Sequence, residues 1–214
     1  MRQADRSLDP GPDEPASAVG APEVRLLTGP ARTAALREVA ALRIEILREY
    51  PYLYAGDPEA ERKYLLDFAA TTSSAIVGAF DGERLVGAAT GVSLAFEKAA
   101  WKAPFIERRI PADQVFYFGE SVLQPTYRGL GVGTRFFELR EEEARRQGAR
   151  LCAFLAVVRP EDDRQRGVDR AGVETYWRAL GYAPLPEAIA ELEWREVGAD
   201  HETPHKMQYW TREL

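Results

Sequence analysis

Apolar residues change their spacing along this chain, and each change of period predicts an element. From Glu23 to Leu27 polar and apolar positions alternate as in a short strand, and Thr28-Gly29-Pro30 breaks the pattern. From Ala31 to about Glu49 the period is helical. Leu36, Val39, Ala40 and Leu47 recur at three- and four-residue spacing, with Arg43 in the same stripe and Leu42 and Ile46 alongside. Tyr50-Pro51-Tyr52 ends this helix, and Asp57-Pro58-Glu59 starts another, a capping carboxylate with proline in the first turn, that runs to about Ala70. Ser74 to Phe80 and Arg84 to Val92 are β-rich runs joined at Asp81-Gly82, a strong hairpin signal. Leu94 to Gln114 keeps no period: Phe96, Trp101 and Phe105 are scattered among charges, and Pro104 and Pro111 interrupt any long helix, so the segment reads as an insertion.

The second half is more regular. Val115 to Leu123 predicts a strand, Gly133 to Gln147 a helix stopped by Gly148, and Leu151 to Val158 a buried strand. A polar loop from Arg159 to Arg170 leads to a helix from Ala171 to Leu180, ended by Gly181, and strands from Ile189 to Val197 and Lys206 to Arg212 close the chain. Strands alternating with helices predict an α/β domain with a mixed sheet and no internal repeat.

A length of 214 residues suits one domain, taken as residues 22–214 behind a Pro- and Asp-rich leader, residues 1–21, expected to be disordered. A net charge of −6 argues against a nucleic-acid partner, which needs clustered Lys and Arg, and fits a cationic acceptor weakly. Cys152 is the only cysteine, so no internal disulfide forms and a reducing, cytoplasmic setting is the default. The leader lacks the apolar core of a signal peptide, and no apolar run is long enough for a membrane helix.

Chemistry concentrates between the middle strand and helix, in Leu123-Gln124-Pro125-Thr126-Tyr127-Arg128-Gly129-Leu130-Gly131-Val132-Gly133-Thr134. Glycines let backbone N–H groups face a ligand, and the following helix adds the positive end of its dipole, so the loop is an anion cradle. It lacks the Gly-Lys-Ser/Thr ending of nucleotide-hydrolase loops, and its evenly spaced glycines do not make G-x-G-x-x-G. Arg128-x-x-Gly131-x-Gly133, with Pro125 and an apolar strand before it, resembles the Arg/Gln-x-x-Gly-x-Gly/Ala signature of the GNAT acetyltransferases. The resemblance continues in element order from about Glu23 to Leu214. It implies an α/β fold with a mixed, mostly antiparallel central sheet flanked by helices, and acetyl-CoA as co-substrate without a metal. It further implies that the amides of Arg128, Gly129, Leu130, Gly131, Val132, Gly133 and Thr134 hold the pyrophosphate, and that the backbone of Val122, Leu123 and Gln124 pairs with the pantetheine arm. The implied reaction is N-acetyl transfer to a primary amine by direct attack in a ternary complex. The acceptor is a small-molecule or peptide amine, and a homodimer is an open option.

Two side chains are candidates for proton transfer. Glu120, ahead of the cradle and flanked by Phe118 and Val122, is expected to act as base or as anchor for a cationic amine. Strict strand alternation faces it away from Tyr117, Gly119 and Ser121 unless a bulge re-aims it; the alternative is a rim carboxylate paired to an arginine. Ser121 is a lesser candidate. In many members of the family a tyrosine four residues before a Gly-aromatic pair protonates the leaving thiolate. Here Gly181-Tyr182 is that pair, Trp177 holds the tyrosine's position, and Tyr176 stands one residue earlier, about 100° away on an ideal helix. Tyr176 is the acid candidate if the helix register differs, and Trp177 reads as core.

Three further signals are weaker. His201-Glu202-Thr203-Pro204-His205 matches the H-E-x-x-H of zinc peptidases, but Pro204 opposes the helix that motif needs. Cys152, inside Leu151-Cys152-Ala153-Phe154-Leu155, reads as a small buried hydrophobe. Arg140-Glu141-Glu142-Glu143 reads as a solvated helix face. A protein that binds coenzyme A without catalysis is the remaining alternative.

Overall fold

A computed structural model describes residues 20–160 and 170–214. Nearly all of the expected leader, and the centre of the expected loop between Arg159 and Arg170, lie outside the described residues.

The chain runs β1 (Glu23–Leu26), α1 (Gly29–Leu47), α2 (Pro58–Ala70), β2 (Ala75–Asp81), β3 (Arg84–Ser93), α3 (Ala99–Glu107), β4 (Val115–Leu123), α4 (Val132–Arg146), β5 (Leu151–Val157), α5 (Arg170–Ala179), β6 (Ala183–Trp194) and β7 (Thr203–Glu213). Asp57 caps α2, its carboxylate accepting from the N–H groups of Glu59 and Ala60 at 3.1 and 2.8 Å, with Pro58 in the first turn as expected. The expected insertion is more ordered than its sequence suggested. Pro104 sits inside the nine-residue α3, where it removes a single helical N–H shortly before the helix ends. Phe105 beside it is fully buried and packs edge-on against Tyr209 at 5.0 Å.

All seven strands form one sheet in the order β1-β2-β3-β4-β5-β7-β6. Only the β4–β5 pair is parallel. The last pairing of β4 with β5 is Phe118 with Phe154, so Gly119 to Leu123 continue beside β3 alone while β5 goes on beside β7. The sheet splits at its centre. Side chains from α1, α2 and α3 cover one face, where Val115, Tyr117 and Val122 join the core. Side chains from α4 and α5 cover the other, over Phe116, Phe118 and Phe154.

A bulge in β4 sets which face each residue takes. Gly91 pairs with Phe118 and Ala89 with Ser121, so β4 spends one residue more than β3 over this step. Gly119 allows it, because a Cβ there would lie 2.4 Å from Thr90 Oγ1. The Glu120 N–H donates to that same oxygen at 3.3 Å. Up to Phe118 the even-numbered residues face α4 and α5; beyond the bulge they face α1.

Candidate active site

The bulge answers the doubt about Glu120. Unbroken alternation would bury it with Phe118 against α4. Instead it shares the α1 face with Tyr117, and Ser121 turns to the opposite face, where its hydroxyl accepts from Arg140 Nη2 at 2.9 Å. Glu120 Oε2 pairs with Arg43 Nη1. Arg43 Nε in turn meets Glu61 Oε2 at 2.5 Å, and Tyr54 donates to Glu61 Oε1 at 2.8 Å. Two carboxylates thus share one guanidinium. Burial pulls the Arg43 pKa down, but the charges of Glu120 and Glu61 outweigh it and hold the group above its ordinary range. The Glu120 side chain is only 9% exposed, and its second oxygen, Oε1, is buried with no hydrogen-bond partner.

Arg140, on α4, holds the bulge from behind. Its Nη1 donates to the carbonyls of Thr90 and Glu120 at 3.1 and 3.3 Å, and its Nε to Phe136 at 3.1 Å. The guanidinium lies 4.1 Å over the Phe118 ring, and burial brings its pKa down to about 10. The helix face read as solvated is therefore buried in part: Arg140, Glu141 and Glu143 are all below 7% exposed. Glu141 accepts from Tyr182 and pairs with Arg212, contacts that no helical spacing announces because both partners come from distant strands or turns.

The cradle follows β4. A 3-10 turn, Pro125–Tyr127, is fastened to the β2–β3 hairpin by the Tyr127 hydroxyl donating to Asp81 at 2.7 Å. Gly131 caps α4 in the left-handed conformation, φ 80°, with no side chain bonded to the helix N–H groups. A Cβ at Gly129 or Gly131 would meet no protein atom within 4 Å, so the loop encloses open space at a helix N-terminus. This suits a pyrophosphate. Side chains contribute little there: Val122 and Val132 are core, Leu123 and Leu130 are apolar, and Gln124 is held by Arg84 and Glu45. Arg128 pairs with Glu49 at 2.8 Å and donates to the Leu123 carbonyl at 3.4 Å. Beyond Phe118 the β4 edge has no strand beside it on the β5 side among the described residues, which fits an extended arm laid along it.

Tyr176, not Trp177, faces the loop. Its hydroxyl lies 3.3 Å from Thr134 Oγ1 and 3.1 Å from where a Cβ on Gly133 would be. Burial raises its pKa, so the phenol is protonated at neutral pH. Trp177 packs on Phe154 and Trp210 at 4.9 and 5.1 Å as core. One cavity of about 1580 Å³ is lined by Glu120, Tyr176, the loop glycines and the residues around Arg43.

The His201–His205 segment is a loop followed by strand, with His205 paired to Leu192 in the ladder, so the two rings do not share a helix face. His205 stacks on Trp194 at 3.7 Å. Cys152 is fully buried, and burial pushes its thiol up to about 12. No helix among the described residues is long and apolar enough to cross a membrane.

Sequence reasoning missed Arg43, Glu61 and Arg140 as parts of the site. Arg43 left a signal, a charge in register with an apolar stripe; Glu61 and Arg140 lay in ordinary charged runs.

Known structures share the fold. A ribosomal-protein-alanine N-acetyltransferase from Brucella melitensis aligns with 90% of this chain and 99% of its own, at TM-score 0.59 and 15% identity. A GNAT superfamily phosphinothricin acetyltransferase from Sinorhizobium meliloti, in complex with acetyl-CoA, aligns over 91% and 89% at TM-score 0.58 and 13% identity. A GNAT-family acetyltransferase from Streptococcus pneumoniae aligns over 90% and 100% at TM-score 0.54 and 14% identity. No curated protein matches the chain in sequence. Residues 40–170, from the middle of α1 through the cradle to the start of α5, match the acetyltransferase (GNAT) family profile. With the split sheet and the open glycine cradle at the head of α4, that match places the chain in the GNAT family of acetyl-CoA-dependent acetyltransferases.

Proposed function

We propose that the chain, as a transferase unit of residues 22–214, acetylates a primary amine by direct attack in a ternary complex, with Glu120 as proton acceptor and Tyr176 as proton donor. The observation that carries this is Glu120, a residue of the cavity that also holds the cradle, whose buried Oε1 has no hydrogen-bond partner among the described residues. Bound acetyl-CoA supplies an activated thioester, so that a C–N bond forms to the acyl carbon as the C–S bond breaks. The protein's part is positioning and proton movement. An amine reaches the site as an ammonium ion and must lose a proton before it attacks. Oε1 accepts that proton while Arg43 holds Oε2 and fixes the carboxylate. The Tyr176 hydroxyl, beside the cradle and kept protonated by burial, donates to the leaving thiolate. The backbone of Val122 to Gln124 and the amides from Arg128 to Thr134 hold the coenzyme. We place the enzyme in the cytoplasm, a reading supported by a lone cysteine that is buried and unpaired.

Glu120→Gln tests the reading. It keeps shape and hydrogen bonding but removes the base, so turnover should fall by about 10²–10⁴ with coenzyme affinity unchanged. Near-normal turnover would make Glu120 a structural partner of Arg43 and leave proton transfer to water.

A further inference from the structure

The half of the cavity beyond Glu120 has a charge and a surface that together select an acceptor. Glu61 and Glu120, at 4% and 9% side-chain exposure, share the single guanidinium of Arg43. On this face of the sheet the carboxylates outnumber the guanidinium by one; the other buried guanidinium, Arg140, lies behind the strand and reaches only the Glu120 carbonyl, and a buried charge without a close counter-charge is costly. Glu61 is satisfied by Arg43 and by the Tyr54 hydroxyl. The unsatisfied oxygen is Glu120 Oε1. The missing partner is one cationic hydrogen-bond donor at that atom.

The walls around it are rings. Tyr64 lies under the Arg43 guanidinium at 4.8 Å. Tyr117 shares the Glu120 face and packs against Trp101 at 5.5 Å, and Tyr52 packs against Trp194 at 5.9 Å. All five aromatic residues line the cavity. Rings bury flat apolar bodies well and pair with other rings edge-on or offset.

A carboxylate on the acceptor would find no suitable partner among the described residues. Arg43 is held between two carboxylates, Lys98 lies over the Trp101 ring at 5.8 Å, and Arg159 donates to the carbonyls of Pro51 and Tyr52 and pairs with Glu196; Arg128 pairs with Glu49 at the cradle, and Arg140 donates to four neutral oxygens behind β4. Such a group would instead face Glu120. A second ammonium would find no other buried carboxylate among the described residues of the cavity, because Glu191, Glu193 and Glu202 are exposed and screened by solvent.

We propose that the acceptor is a small primary amine carrying one positive charge on an aromatic body, seated with its ammonium on Glu120 Oε1 and its ring among Tyr52, Tyr64, Trp101 and Tyr117. This rests on the reading of Glu120 as the acceptor end of the site.

The test follows coenzyme A release by the intact protein with acetyl-CoA and four amines: phenethylamine, L-phenylalanine, hexylamine and spermidine. The kcat/KM for phenethylamine should exceed that for L-phenylalanine by about 100-fold, since the added carboxylate faces a buried like charge. It should exceed hexylamine and spermidine by about tenfold, the worth of one or two ring contacts. Trp101→Leu should raise the KM for phenethylamine about tenfold and shrink its advantage over hexylamine to near unity, while leaving the coenzyme-induced melting shift unchanged. Phenylalanine, hexylamine or spermidine accepted as well as phenethylamine overturns this inference and leaves the transfer reading standing. Coenzyme binding without acetylation of any amine overturns the transfer reading and the inference with it.

Discussion

Arg43 and Arg140 are the same residue in similar settings, buried charges on helices that pack against the sheet, yet they do opposite work. Arg43 is paired with two carboxylates, whereas Arg140 has four hydrogen bonds to neutral oxygens and an aromatic ring beneath it. The first fixes the orientation of Glu120 through its side chain, the second through its backbone. Replacing Arg140 by methionine removes a desolvated charge, which offsets much of the loss of hydrogen bonds, and the net cost should be about 1–3 kcal/mol. Turnover should fall at least about tenfold, through kcat and acceptor KM, because the re-aimed Glu120 no longer meets the amine; coenzyme affinity should hold. A fully active, stable Arg140→Met protein would mean that the bulge maintains itself through Gly119 and Thr90.

At the scale of elements, the N-terminus of α4 is the proposed seat of the coenzyme, and Gly131 caps it without any side-chain hydrogen bond. Gly131 reaches φ 80° without strain, and no neighbouring atom occupies the space beside it. Gly131→Val forces a β-branched residue into that conformation at a cost of about 1–3 kcal/mol. It should also abolish any rise in melting temperature on adding coenzyme A. A variant that keeps both activity and the shift would put the cradle elsewhere. Elements with a clear period were legible in the sequence: β4 spans the predicted residues, and α4 differs from prediction by one residue at each end. The bulge was only an option in the sequence, because a polar Glu120-Ser121 pair after an apolar run fits either facing and Gly119 alone does not place an extra residue. α3 was missed for a related reason. Its apolar residues face a core supplied by distant strands, and Pro104 masked a helix short enough to tolerate it.

For the molecule as a whole, binding and stability are linked. The cradle exists only when β4, α4 and the β2–β3 hairpin are assembled, so coenzyme A held there would bind the folded state alone. It should stabilise the protein by about 2.7 kcal/mol at a hundred times its Kd, read as a higher melting temperature. No shift at millimolar coenzyme, in protein shown free of bound coenzyme, would contradict the site. The sequence by itself determined the order of every element except α3, the glycine loop between β4 and α4, and the candidates Glu120 and Tyr176, because hydrophobic period, turn residues and glycine spacing are local properties of the chain. Which way Glu120 faces, that it shares Arg43 with Glu61, that Tyr176 rather than Trp177 meets the loop, and which rings line the cavity were decided only in the tertiary structure. Those contacts join residues tens of positions apart, and a shift of one residue in a strand, set by packing and not by local preference, moves a side chain from one face of the sheet to the other.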